Sequence, residues 1–299
     1  MAKEFTIENE YLKVTVTTWG AQIKSVIRKC DGVEHIWQAD PNVWGYHGPT
    51  MFPYVDSIKG GVLTIDGVDY PAPLHGFAQG MDRKLVSRGD HYVEMELTDS
   101  PETMKYYPFK FRLVSRFELV DDQVKHILRV ENTGDGKLPF GIGYHPGFAL
   151  PFDDKHTLED YEIRFEKLES PLCAKCEGNL PDIVLYPLGG RNIRSLPISR
   201  EFFKGPSHTI MNLASDYVCI TEKDTGRRVK VHVKGFPYTL FWTHGARGGN
   251  EKIRFMCVET WCQFPERNGE DHDFGHRAHT EILEPNTSWS TELKMCFER

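Results

Sequence analysis

The 299-residue chain is 39% hydrophobic, 12% aromatic and 26% charged, enough apolar material for a large core and too much for a disordered chain. A formal net charge of −7 and the lack of any long basic run remove the electrostatic footprint of a nucleic-acid binder. No stretch approaches the roughly 18 apolar residues of a spanning helix, and the start MAKEFTIENEYLKVTV has no signal-peptide apolar region, so a cytoplasmic protein with no membrane partner is expected.

From the N-terminus onward, the dominant pattern is period-two alternation. Val93, Met95 and Leu97 alternate with polar residues, as do Phe109, Phe111 and Leu113, then Phe117 and Leu119, and later Val229, Val231 and Val233. A short helix is expected near Arg200 to Lys204. The final segment is the clearest strand, with Trp289, Thr291, Leu293, Met295 and Phe297 on one face and Ser290, Glu292, Lys294 and Glu298 on the other. Turn signals such as KGG, PLGG and RGGN, among 26 glycines and 18 prolines, punctuate these strands. No βαβ alternation, internal repeat or linker interrupts them, so the fold expected is all-β, a large antiparallel β-sandwich formed by residues 1–299 as one domain. The seven cysteines are odd in number and scattered, which favours reduced thiols, and the single pair Cys173-x-x-Cys176 reads as a turn.

Four segments set polar groups among Gly, Pro and aromatic residues: HGPTMFPYVDSIKGG from His47, LHGFAQG around His75, GIGYHPGFALP around His145, and FMCVETWCQFPERNG around Glu259. His145 and His75 each have a plain reading, a turn histidine bonded to a backbone carbonyl. Glu259 follows Phe255, Met256, Cys257 and Val258, and a carboxylate in a buried strand needs compensation. Two explanations stand open: a structural ion pair with Arg254 or Arg267, or a base whose pKa burial has raised. The stretch GEDHDFGHRAH gathers His272, His276 and His279 with Asp271 and Asp273, but a polar loop accounts for it without a metal.

Taken in order, HGFAQG, GYHPGFALP, CVETWCQFPE and the terminal ILEPNTSWSTELKMCFE resemble the aldose 1-epimerase (galactose mutarotase) superfamily, in its mutarotase-like branch of bacterial sugar-operon proteins. The opening IENEYLKVTVTTWGAQIKSVIRKCDGVEHIW is similar to that family's first strands. The resemblance implies a galactose mutarotase-like supersandwich with a sugar cleft on one sheet, and an isomerase that interconverts α and β anomers of an aldose with no cofactor and no metal. Carried over by motif, Glu259 is the general base, His145 the general acid and His75 a substrate-holding histidine. Trp242 and Trp261 are expected to lie along the apolar side of the sugar, with His47, Gln79 and Tyr144 as hydroxyl binders. Ser57 and Gln79 stand where many relatives carry arginine, and no hydroxyl-binding aspartate matches, His208 and Asp216 lying in the nearest region. Two alternatives remain: a hexose-6-phosphate epimerase gripping phosphate through Arg83, Lys84, Arg227, Arg228 and Arg247, and a non-catalytic sugar-binding or sensor protein. The expected partner is a small-molecule aldose, and the expected assembly a monomer or homodimer.

Overall fold

The alternating segment at the C-terminus becomes Ser288–Glu298, the middle strand of a nine-stranded antiparallel sheet. In spatial order that sheet runs Ile193–Pro197, Tyr161–Glu169, Tyr217–Glu222, Arg228–His232, Ser288–Glu298, Gln123–Asn132, Phe111–Val120, Tyr92–Thr98 and Lys84–Arg88. In this computed structural model the described residues are 2–177, 180–204, 207–211, 213–244, 253–267, 269–277 and 279–299, with 175–177 and 180–183 as backbone only. The period-two reading holds in Tyr92–Thr98, where Val93, Met95 and Leu97 are the buried positions, and is broken at Val114 of Phe111–Val120 and at Cys296 of Ser288–Glu298, which are buried out of phase.

A second antiparallel sheet of eight strands packs across it. Its order is Leu180–Pro187, Leu172–Glu177, His208–Met211, Tyr238–Trp242, Phe255–Trp261, Gly143–Tyr144 and Thr50–Met51, with Gly147–Ala149 also paired to Phe255–Trp261. All seven residues of Phe255–Trp261 are buried, because both faces of that strand are covered. Met256 and Val258 join Leu293 and Met295 in the core between the sheets. On the opposite face Phe255 and Cys257 pack against Trp37, and Trp261 against Met51 and Leu240. An unbroken apolar run containing one carboxylate is the sequence trace of this double burial.

Two expectations are corrected. Arg200 to Lys204 forms turns closed by Phe203 N–H to Arg200 O (3.2 Å) and Lys204 N–H to Glu201 O (3.3 Å), without a helix. The Ser199 hydroxyl takes the Phe202 N–H (3.1 Å), and such local capture competes with helix propagation. Cys173-x-x-Cys176 lies within the strand Leu172–Glu177 instead of a turn; Cys173 is buried, and the Cys176 side chain lies outside the described residues. Among the described residues no helix is long and apolar enough to cross a membrane.

Candidate active site

Strand register brings the two principal candidates together. Gly143 and Tyr144 pair with Trp261 and Thr260, and Gly147 to Ala149 pair with Cys257 to Phe255 in the same register, so His145 falls opposite Glu259. Pro146 has no N–H to give and interrupts the ladder there. His145 Nε2 lies 3.2 Å from Glu259 Oε1, with both side chains at or below 5% exposure. Trp261, two residues on and therefore on the same face, donates its indole N–H to Glu259 Oε2 (3.1 Å).

His75 reaches the pair from a loop. It adopts φ 60° and is followed by Gly76 at φ 75°, a left-handed step that glycine takes without penalty. The His75 N–H donates to Asp56 O (2.9 Å) while the Asp56 N–H donates to His75 Nδ1 (3.0 Å). This clamp makes Nδ1 an acceptor, which leaves the proton of the neutral ring on Nε2. The His75 ring stands edge-on to His145, with centroids 5.2 Å apart at 84°.

Aromatic rings complete the enclosure. Trp44 stacks on His145 (4.9 Å, 29°) and on Phe255 (5.2 Å, 12°), and Trp242 meets His145 edge-on at 5.5 Å. Gly147 makes room for this cap, since a Cβ there would sit 2.9 Å from Trp44 Cζ3. Trp44 and Trp37 were not singled out from sequence. The available signal was a tryptophan stranded in the turn-rich stretch DPNVWGYHGP, where no alternating pattern claims it.

Burial governs the protonation of the site. It pushes Glu259 well above the usual carboxylate range, and the Asp56 charge adds to the rise, partly offset by the Trp261 N–H. Burial also pushes His145 well below the usual imidazole range, with His75 reinforcing the shift, and lowers His75 to about 4. The ion-pair explanation of Glu259 fails, because Arg254 reaches Asp40 (3.2 Å) and Arg267 reaches Glu270 (3.7 Å). Truncating the cap tests the role of burial: in Trp44→Ala the His145 imidazole is expected to titrate closer to its ordinary value of 6.5, as read by NMR. An unchanged titration would mean that Trp44 is not what dries the site.

The remaining candidates are placed as follows. His47 Nδ1–H donates to Trp37 O (2.8 Å), and the residue borders a small space of about 10 Å³ next to His145. Gln79 turns its amide onto the Leu74 carbonyl and lines a separate groove beside the His75 loop, a concavity of about 860 Å³ that also includes Tyr46 and Tyr106. That groove is the larger of the two spaces, but His145 and Glu259 lie outside it, under Trp44. Tyr144 is a correction: strand parity turns it away from His145 into the inter-sheet core, where its hydroxyl donates to Thr291 O (2.9 Å). His208 donates from Nε2 to Phe202 O (2.6 Å) and accepts the Tyr186 hydroxyl at Nδ1 (3.0 Å), and Asp216 is held by Lys167 (2.9 Å) and Lys234 (2.8 Å).

Of the four described cations considered for phosphate, one is buried and three are paired with carboxylates. Arg83 is buried with Nη2 on Ala78 O (3.1 Å), Lys84 pairs with Glu96 (3.4 Å), Arg227 with Glu222 (2.7 Å) and Asp153, and Arg228 with Glu298 (2.5 Å). Arg247 lies outside the described residues. In the GEDHDFGHRAH loop, His272 bonds Glu266 (2.9 Å), His276 lies 3.6 Å from Asp271 and His279 meets the Tyr238 hydroxyl (3.0 Å). Asp273 accepts the Gly275 N–H (3.1 Å), so the loop is tied down through separate contacts.

A family model described as Aldose 1-epimerase matches residues 3–296. Protein LacX, chromosomal, of Lactococcus lactis subsp. lactis is 27% identical over 266 residues, covering 85% of this chain and 86% of that protein. A galactose mutarotase related enzyme from Lactobacillus acidophilus superposes with a TM-score of 0.93 at 26% identity, covering 99% of this chain and 98% of its own. A galactose mutarotase-like protein from Lactobacillus casei superposes at 0.90 with 24% identity, covering 99% and 100%.

Proposed function

Since the chain belongs to the aldose 1-epimerase family, whose model matches nearly its whole length, we propose that it catalyses the interconversion of α and β anomers of a free aldose. The observation that carries this reading is the buried imidazole–carboxylate contact of 3.2 Å between His145 and Glu259. The anomeric hydroxyl oxygen and the ring oxygen are bonded to the same carbon, so one adjacent acid–base pair can serve both. Glu259 takes the proton from the anomeric hydroxyl while His145 delivers one to the ring oxygen, and the C1–ring oxygen bond opens to a free aldehyde. Rotation about C1–C2 and reclosure with the proton movements reversed give the other anomer.

One proton shared by the pair suffices for the whole cycle. After ring opening Glu259 is protonated and His145 neutral, which is the charge state that burial favours. Reclosure restores the imidazolium and carboxylate, against burial but beside the hydroxyl groups of the sugar. In this reading His75, neutral with Nε2–H, donates to a sugar hydroxyl, and Trp242, joined by Trp44 once it has moved aside, offers a flat apolar face to the C–H side of the ring. Because Trp44 now covers His145, the sugar enters by displacing that indole.

The pH dependence follows from the two shifts. Activity is expected to fall on the alkaline side as Glu259 loses the shared proton and on the acid side as His145 gains a second one. The raised carboxylate moves the first limb up and the lowered imidazole moves the second down, giving a broad plateau around neutrality. A rate that collapses within one unit of pH 6.5 would contradict this.

Polarimetry or NMR exchange on freshly dissolved glucose, galactose and a pentose tests the activity, with faster equilibration of at least one expected. No acceleration of any aldose would reject the proposal. Glucose is expected to outpace glucose 6-phosphate, because Arg83 is buried and Lys84, Arg227 and Arg228 are already paired with carboxylates. A faster phosphorylated substrate would reverse that preference.

A further inference from the structure

Cys257 lies two residues before Glu259 on the same face of the strand, next to the acid–base pair and without a part in the chemistry described above. The ligand atoms of His145, Cys257 and Glu259 all lie within 4.8 Å of one another, and all three residues are buried. Imidazole nitrogen, thiolate sulfur and carboxylate oxygen are each zinc donors, and three protein donors with a fourth position open is the arrangement of catalytic zinc sites. Around a tetrahedral ion with metal–ligand distances of roughly 2.0–2.2 Å, nitrogen and oxygen ligands sit about 3.3–3.6 Å apart. His145 Nε2 and Glu259 Oε1 already sit 3.2 Å apart.

We propose that His145, Cys257 and Glu259 form a latent site for a thiophilic divalent cation of the zinc and cadmium type, whose occupation blocks the acid–base pair. The site is inhibitory because the ion takes the lone pairs that proton transfer needs. On binding, Cys257 gives up its thiol proton and the His145–Glu259 pair gives up its shared proton, so two protons pass to solvent while Sγ, Nε2 and a carboxylate oxygen bind the ion. Thiolate and carboxylate together cancel the dication, so the buried centre carries no net charge. Among the described residues the other cluster with suitable spacing, Asp153, His156 and Glu222, is different in kind: Arg227 already bonds both carboxylates and supplies its cation.

The binding half of this proposal is independent of the epimerase reading; only the inhibitory half rests on it. Cys30 is exposed, so the test uses the full chain in a Cys30→Ser background to remove a competing surface thiol. Cadmium titration, followed by the ultraviolet thiolate-to-metal absorption, is expected to reach one ion per chain. The absorption should vanish in Cys257→Ser and in Cys257→Ala, two variants of different polarity that guard against a folding defect. Glu259→Gln and His145→Gln should each weaken binding at least about 10-fold. Cadmium should also abolish anomer exchange in the parent, a chelator should restore it, and Cys257→Ser should stay active in its presence. Thiolate absorption that persists without Cys257, or affinity untouched by both Glu259→Gln and His145→Gln, would overturn the site. One bound ion with full activity would overturn the inhibition. If cadmium binds as expected but the metal-free protein accelerates no aldose, the epimerase reading alone fails.

Discussion

Glu259→Gln is expected to slow anomer exchange by about 10²–10⁴-fold, the usual contribution of one general base. The amide is close in shape to the carboxylic acid and can still accept the Trp261 indole N–H, so the strand has no reason to move. Stability should change in the opposite direction. The native state holds the Glu259 proton more tightly than the unfolded chain, whose carboxyl has the ordinary value of 4.5. Stability is therefore lost as pH rises from there toward the elevated native value, and Gln removes that slope. Thermal unfolding at pH 5 and pH 9 should show the variant gaining on the parent at the higher pH; a variant that loses ground there would contradict the burial argument. Pairing it with His145→Gln should cost little beyond either single change, because acid and base work as one relay.

Gly76→Ala is expected to give the largest structural loss of any small substitution near the site. A Cβ on Gly76 would meet Phe52 O at 2.2 Å and its carbonyl carbon at 2.5 Å, at a residue whose φ is +75°. Phe52 is fully buried in the core, so its backbone has nowhere to retreat. Left-handed strain alone costs about 1–2 kcal/mol, and with the backbone collision the total should reach about 3 kcal/mol. The clamp between His75 and Asp56 would slip with it, so residual activity should fall as well. Urea unfolding reads the first effect. Gly136→Ala is the control, since nothing lies within 4 Å of a Cβ there, and it should stay within about 0.5 kcal/mol of the parent. Equal behaviour of the two variants would show that the left-handed turn is not strained by a side chain.

The sheets were legible in the sequence because alternation is a local signal. Tyr92–Thr98 buries Val93, Met95 and Leu97 on one side of a pleat, and the residues themselves record which side. Glu259 was legible for a related reason, as a carboxylate in an apolar run, but whether arginine neutralised it depended on partners distant in the chain. Tyr144 shows how adjacency misleads: next to His145 in sequence, it faces the opposite side of the sheet. The cations named for the phosphate alternative were open for the same reason: Arg227 finds Asp153 in a loop and Arg228 finds Glu298 on the neighbouring strand, partners that composition does not reveal. Trp44 was missed because a loop has no periodicity to betray its direction, although it stacks on His145.

A structure of the protein soaked with an aldose bears most directly on the chemistry assigned to Glu259 and His145. The expected result is one sugar with Trp44 displaced, its anomeric oxygen within about 3.2 Å of the Glu259 carboxylate and its ring oxygen facing His145 Nε2. A sugar bound with its anomeric carbon out of reach of both side chains, with Trp44 still stacked on His145, would contradict it.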